Sequence, residues 1–337
     1  EKHDRTLIRQ YKLRSFIREP CLDEGKYCII AVDIADVFDY NEYCNNATHF
    51  LENVVPNVYN YIHELNFQKF YKTTTSDDQI AMAFTNMDGV QSLIEEIISS
   101  LYKSYEYDQY IVNKYQLCKR LVDGTITTKL IPNFATMETR ERVAFIKNVS
   151  NLMTFMSPNY NPAGLRLSTP FDRQIAILNT DFNAQLETNV IATSFFRDSA
   201  EMKSRSALVD GFGNHDVARL TQLLGSSYEP FSESELETLE KVPAIIIDDE
   251  FFQNYTYAMD NSSEPGRNTE FFNGESLRTT HWLHVWKVIS TSPFKQAVAF
   301  ITGTPVAVSS VTVSPAESSI SAGLDMKLQE SVVSFLC

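Results

Sequence analysis

The amino-acid sequence predicts an α+β fold, and three observations carry that prediction. One helical pattern runs from Val90 to about Val122 without a proline or a glycine. Short apolar runs at 174–178, 207–209 and 244–247 alternate with helical or polar stretches, as in a layer of strands packed with helices. From Phe251 onward aromatic and β-branched residues dominate, which favours strands.

Taken in chain order, the run Tyr27 to Tyr40 is rich in β-branched and aromatic residues and predicts a strand or hairpin. Residues 58–71 place Tyr59, Tyr61, His63, Leu65, Phe67, Lys69 and Tyr71 on one face, which predicts a single half-covered strand. Ser76 to Gln79 has capping-box form, so a helix is expected to follow it. In the long pattern Leu93, Ile94, Ile97, Ile98, Leu101, Tyr105, Ile111, Val112, Tyr115 and Cys118 recur at three- and four-residue steps. A continuous helix of that span is roughly 50 Å long, with a break near Ser104 to Asp108 as the alternative.

A second helix is expected from Thr139 to Met156, stopped by Ser157-Pro158. Another follows Ser232, which pairs with Glu235 in a capping box. In the run 281–289 both alternating faces carry large apolar groups, Trp282, Trp286 and Val288 on one and Leu283, Val285 and Ile289 on the other. That pattern predicts a strand covered on both sides. After Thr304-Pro305, valines alternate with Ser and Thr, as at the entry to a β-sandwich.

Composition narrows the function classes. The chain has 337 residues, 43% of them hydrophobic, and a formal net charge of −14. At that length about three quarters of the unfolded surface can be buried. The charge disfavours unspecific attachment to nucleic acid or an anionic membrane. The longest apolar runs fall far short of the roughly 20 residues that cross a bilayer, and the polar start has no signal-peptide core, so no membrane partner is expected. Cys21, Cys28, Cys44, Cys118 and Cys337 are scattered, which fits free thiols in a reducing compartment.

Charge is also unevenly spread. Residues 1–18 hold six cations against two carboxylates, whereas residues 229–250 hold eight carboxylates against Lys241 alone. The two stretches either pair between copies of the chain or stand as separate solvated segments.

No motif points firmly to catalysis. His281 and His284, three apart on a strand, fall on opposite faces and do not make a two-histidine metal site. Asp33, Asp36 and Asp39 lack the glycine and terminal glutamate of a calcium loop and are expected in solvent. Gly211 to Asp216 sets His215 beside Asp216 after a strand and is the best local candidate for acid–base chemistry. It lacks a nucleophile elbow, a phosphate loop or a zinc-protease motif, and a turn with polar ends is the preferred reading. No enzyme activity, catalytic residue, metal or cofactor is expected.

Several segments together resemble a known family: D-D-E-F-F-Q-N-Y at 248–255, E-P-G-R-N at 264–268, H-V-W-K-V-I-S-T-S-P-F-K-Q-A-V-A-F at 284–300, and V-S-S-V-T-V-S-P at 308–315. Upstream, H-E-L-N-F-Q-K-F-Y at 63–71, the Asp77-Asp78 pair and the helix from Val90 also match. The sequence resembles the major capsid proteins of short-tailed bacteriophages of the phi-29-like and related groups. The resemblance covers roughly 55–120 and 172–315.

It implies the Hong Kong 97-type capsid fold, with an N-terminal arm (1–26), an extended loop (27–46) and a peripheral domain with a spine helix (47–123). An axial α/β domain (124–250) and returning strands of the peripheral domain (251–304) would follow. Residues 305–337 would begin an incomplete immunoglobulin-like module. The implied function is self-assembly, through pentamers and hexamers, into the icosahedral or prolate head of a virion. That head would form in the bacterial cytoplasm, enclosing double-stranded DNA without sequence-specific contacts, with portal and scaffold proteins as further partners. Contacts between copies are expected at Arg9, Lys12 and Arg14 of the arm, at Ile30, Val32, Phe38 and Tyr40 of the loop, and at Glu233, Glu235 and Glu237 of the acidic patch. The alternatives are an encapsulin-like compartment shell, a hydrolase using His215 and Asp216, and a surface adhesin.

Overall fold

A 36-residue helix, α1 (Met87–Val122), organises the molecule. It is unbroken through 104–108, and it ends where Gly124 takes the left-handed conformation (φ 74°) that a residue with a side chain rarely adopts. The computed structural model describes residues 21–22, 26–35, 37, 54–76, 87–189, 205–257 and 267–303. The capping positions 77–79, the arm residues Arg9, Lys12 and Arg14, the loop residues Phe38 and Tyr40, and the stretch from 305 lie outside the described residues.

The stretch of α1 from Leu101 to Tyr115 lies on a five-stranded sheet. Its strands are β1 (Cys21–Leu22), β4 (Phe67–Ser76), β9 (Phe252–Tyr257), β10 (Arg267–Asn273) and β11 (Arg278–Thr291), ordered β1-β9-β11-β10 with β4 also on β11. β11 is long enough to pair along its length with three strands, β4, β9 and β10, all antiparallel. Phe67, Tyr71, Leu283, Val285 and Ile289 on the inner sheet face meet Leu101, Tyr105, Ile111, Val112 and Tyr115 of the helix in one buried cluster. Each such side chain contributes about 1.5–3 kcal/mol on burial.

A second five-stranded sheet takes the C-terminal end of α1. It comprises β5 (Thr127–Pro132), β6 (Gln174–Asn179), β7 (Ser206–Val209), β8 (Ala244–Asp248) and β12 (Ala297–Gly303), in the order β5-β12-β8-β6-β7. One face meets Leu117, Cys118 and Leu121 of α1 together with Leu239 of the helix α5 (Glu233–Glu240). The other face meets α2 (Thr139–Met153) and α3 (Thr180–Asn189) through Ile146, Val149, Met153 and Phe182. Helices on both faces explain why β8 is apolar from Ala244 to Ile247 and buried at every position. A short helix, α4 (Val217–Leu224), packs Leu220 and Leu223 against α1 in the first cluster.

Several sequence expectations are corrected. The stretch 58–71 is two strands, β3 (Val58–Glu64) and β4, because Asn66 leaves the ladder to bond Ile289 N–H and C=O with its side-chain amide. Within 251–303, β9, β10 and β11 belong to the first sheet, and β12 pairs with β5 and β8 of the second. β11 is not covered on both sides along its length, since Trp286 on its outer face is partly exposed and only Val288 is buried there. The helix expected to Met156 ends at Met153, with the capping box supplied by Glu138 and Glu141. The capping box of α5, Ser232 with Glu235, is present as expected.

After α1 carries it from the first sheet to the second, the chain crosses between the sheets twice more, at 248–252 and at 291–297, and one ion cluster fastens these two short crossings. Arg173 donates to Asp248 at 2.7 Å, to Asp249 at 3.0 Å and to Glu250 at 2.9 Å, and Lys295 also pairs with Glu250.

Candidate assembly surface

A two-stranded antiparallel ribbon, β2 (Lys26–Val32) against β3, forms a separate small sheet and is the candidate surface. Alternation gives it two unlike faces. One carries Tyr27, Tyr59, Tyr61 and His63 and lies against the body: Tyr27 packs on Tyr255 at 4.4 Å between ring centroids, Tyr59 on Phe294 at 6.4 Å, and the His63 imidazole meets Ser290 Oγ at 2.6 Å. At the far end Asp33 accepts from the Arg166 backbone N–H at 3.3 Å and sits 3.6 Å from its guanidinium. This corrects the expectation of a solvated Asp33; Asp36 and Asp39 lie outside the described residues.

The other ribbon face is open and mostly aliphatic, with Asn60 opposite Ile30 and Glu64 at one end. Ile30 (66% exposed) and Val32 (52%) stand beside Val58 (58%) and Ile62 (55%), with Val32 paired directly to Val58 and Cys28 to Ile62. Cys28 is an exposed free thiol, whereas Cys118 is buried in α1. Burying such a face against a partner gains about 25 cal/mol per Å². Nothing in the ribbon's own fold requires four β-branched residues there, because the opposite face does the anchoring.

A second exposed apolar region lies on the outer face of the first sheet, where Phe70, Phe271 and Trp286 are exposed and His284 sits 5.8 Å from the Phe70 ring. Sequence reasoning missed it: the two-sided apolar pattern of 281–289 does not show which side a neighbour within the chain covers. His281 lies on the inner face 3.6 Å from Glu270, so the two histidines are apart, as expected.

Of the expected contact residues, Glu233, Glu235 and Glu237 lie on α5 far along the chain from the ribbon residues Ile30 and Val32. Glu235 caps its own helix by accepting from Ser232 N–H, which holds its carboxyl below the usual range. Glu237 pairs with Lys241 at 3.1 Å. Glu233 stands in the first turn, where a negative charge favours the helix N-terminus.

The acid–base candidate sits elsewhere, at a cavity of about 150 Å³ between α1 and α4 lined by Tyr107, Tyr110, Lys114, Asp210, Asn214, His215 and Asp216 among others. Asp210 accepts from Lys114 at 2.5 Å, Tyr110 at 2.7 Å and Asn214 at 2.8 Å. Burial works to raise its pKa, but these donors outweigh it and hold the carboxyl below its usual value. Asp216 caps α4 through Arg219 N–H and accepts from Tyr107. Burial, with Lys114 adding repulsion, lowers the His215 pKa to about 4, so at neutral pH its ring is uncharged and stacked on Phe231 at 4.8 Å. The lining holds no serine or cysteine among the described residues, and each carboxylate has a structural role. No group of three or more His, Cys, Asp or Glu among the described residues is arranged to hold a metal ion.

A model of the Phi29-like phage major capsid protein family matches residues 27–301. The major capsid protein of Bacillus phage GA-1 is 26% identical over 294 residues, covering 84% of this chain and 54% of that protein. That of Bacillus phage B103 is 28% identical over 278 residues, covering 81% and 55% respectively. The chain thus spans about half the length of these curated relatives. Among solved structures, a chain in the capsid of Staphylococcus phage Andhra superposes with a TM-score of 0.64 at 12% identity, covering 86% of this chain and 83% of that one. The shared fold is the tailed-phage capsid fold of the Hong Kong 97 type.

Proposed function

The chain belongs to the family of Phi29-like phage major capsid proteins, and on that premise we propose that it builds the shell of a phage head by associating with further copies of itself. The observation that carries this reading is the ribbon: one face is fastened to the body by Tyr27, Tyr59 and His63, and the other presents Ile30, Val32, Val58 and Ile62 to solvent. A mostly aliphatic face turned to solvent suits a neighbouring subunit. Many modest contacts of this kind, repeated around closed symmetry, give a stable shell.

The reading extends to parts the described residues do not reach. The basic stretch with Arg9, Lys12 and Arg14 acts as an arm that pairs with the Glu233, Glu235 and Glu237 patch of another copy, and Phe38 and Tyr40 extend the ribbon's contact. Pentamers and hexamers, portal and scaffold proteins, and packaged double-stranded DNA complete the proposed assembly, with the virion as its location. The shell performs no catalysis, and the groups at His215 and Asp216 serve packing and helix capping. The negative net charge keeps DNA free to slide inside.

Electron microscopy of the purified protein tests this directly. Closed particles or flat sheets of hexamers are expected, and a monodisperse monomer at high concentration overturns the proposal. Reversing Arg9, Lys12 and Arg14 to Glu is expected to reduce particle yield; full yield from that variant removes the arm-to-patch pairing.

A further inference from the structure

The ribbon is held at its root by a histidine that has no counter-charge among the described residues. His63 is 2% exposed, and its ring is enclosed by Tyr27 of β2, Tyr61 of β3 and Tyr255 of β9, with centroids 6.4, 4.8 and 6.4 Å away. Nδ1 meets Ser290 Oγ of β11, and Nε2 is buried without a hydrogen-bond partner among the described residues. The chain turns immediately afterwards, at Leu65-Asn66, from the ribbon into the first sheet. One imidazole therefore touches both ribbon strands and both neighbouring sheet strands at the point where ribbon and body join.

The groups that face this ring from every packed element are phenols and a hydroxyl: Tyr27, Tyr61, Tyr255 and Ser290. Glu64, the nearest carboxylate in sequence, is exposed and by strand alternation points to the opposite ribbon face. A proton added to Nε2 would place a cation in a phenol-lined enclosure with no described carboxylate to receive it, a state that burial disfavours.

We propose that His63 is an acid-sensitive clasp: neutral, it holds the ribbon against β9 and β11, and its protonation releases the ribbon from the body. This rests on the reading of the ribbon as the contact segment between copies, and it assigns that segment a regulation by pH. Burial lowers the pKa of His63 from 6.5 to about 4 in the docked state. A histidine whose pKa is lower when docked favours docking fully above its free value and loses that contribution as the pH falls from about 6.5 to about 4. The docking equilibrium weakens by roughly a hundredfold over that window, because between the two pKa values each step of one in pH changes it about tenfold.

The test is amide hydrogen exchange of the full chain between pH 7.5 and 4, corrected for intrinsic rates, comparing residues 26–32 and 58–64 with the buried strands β6 and β8. Protection of the ribbon is expected to fall at least tenfold by pH 5 while β6 and β8 stay protected. In His63→Phe, which keeps an aromatic ring in the enclosure, ribbon protection is expected to be independent of pH. Ribbon protection in the wild type that does not change with pH overturns the proposal, as does an unchanged acid response in His63→Phe. Should His63→Phe lose the ribbon at every pH, the NMR titration of the wild-type His63 ring decides: a value near 4 supports the clasp and an ordinary value near 6.5 overturns it. The two readings fail separately. A ribbon that releases in acid with no change in particle formation sinks the ribbon as assembly contact and leaves the clasp standing.

Discussion

Arg219 of α4 grips Asp108 of α1 with both arms of its guanidinium, Nε to Oδ1 at 2.7 Å and Nη2 to Oδ2 at 2.8 Å, and Asp108 is fully buried. The pair shows what the long helix demands. Between 108 and 115 every position of α1 is buried, yet four of them, Asp108, Gln109, Asn113 and Lys114, are polar, and burial of such groups calls for internal partners. Asn113 accepts from Asn254 at 3.0 Å and Lys114 donates to Asp210 at 2.5 Å; just beyond this stretch Gln116 donates to the Ile289 carbonyl at 2.9 Å and Arg120 to Thr291 at 2.9 Å.

Arg219→Ala is expected to cost about 3 kcal/mol or more in urea unfolding, because it leaves the Asp108 carboxylate buried and unpaired. The double change Asp108→Leu with Arg219→Met removes both charges and is expected to recover most of that loss. Equal destabilisation by the double variant would show that the pair contributes by itself rather than through the penalty of a lone charge.

Lys287 offers a related contrast. It is fully buried on β11 with its ammonium 4.7 Å from the Tyr105 ring centre and 3.4 Å from Gln109. Lys287→Met preserves the stem and is expected to change stability by less than about 1.5 kcal/mol. Lys287→Ala opens a cavity between helix and sheet and is expected to cost about 2–4 kcal/mol. Thermal melting of both variants checks the difference.

The ion cluster at the sheet crossings gives a pH prediction. The Lys295 ammonium holds the Glu250 carboxyl below its ordinary value of 4.5, with Arg173 assisting, whereas burial raises that of Asp248. For Glu250 the lowered folded value means a stabilising contribution present above about pH 4.5 and lost as the pH falls through the folded value. Glu250→Gln is expected to lower stability at neutral pH and to flatten its decline below pH 4.5. Urea midpoints measured from pH 7 to 3 show whether the two curves converge in acid.

On the ribbon, Ile30→Lys and Val58→Lys change exposed positions, so the unfolding free energy of the single chain is expected to move by no more than about 0.5 kcal/mol. Particle yield is expected to fall sharply in both. Normal particles from either variant would place the neighbour's contact elsewhere, and a large loss of monomer stability would mean the face is covered within the chain.

Much of the fold was legible in sequence because its signals are local. The three- and four-residue steps from Val90 made α1 visible, and Ser232 with Glu235 announced the start of α5. The candidate surface was legible in part: the β-branched run pointed to Ile30 and Val32, but their partners Val58 and Ile62 became visible only when β3 paired with β2 in a defined register. His63 had looked like one more member of an alternating strand. Its role follows from Ser290 and Tyr255, which stand far along the chain.

Helices, strand-forming runs and the family resemblance could be read from residue order alone, since periodicity, capping and motif spacing depend on neighbours a few residues apart. The sheet that β12 joins, the face of β11 that stays open and the partners of the buried polar groups of α1 emerged with the folded chain. Those outcomes depend on burial and hydrogen bonding between distant segments, and a strand pattern with two apolar faces carries no mark of which face another segment will cover.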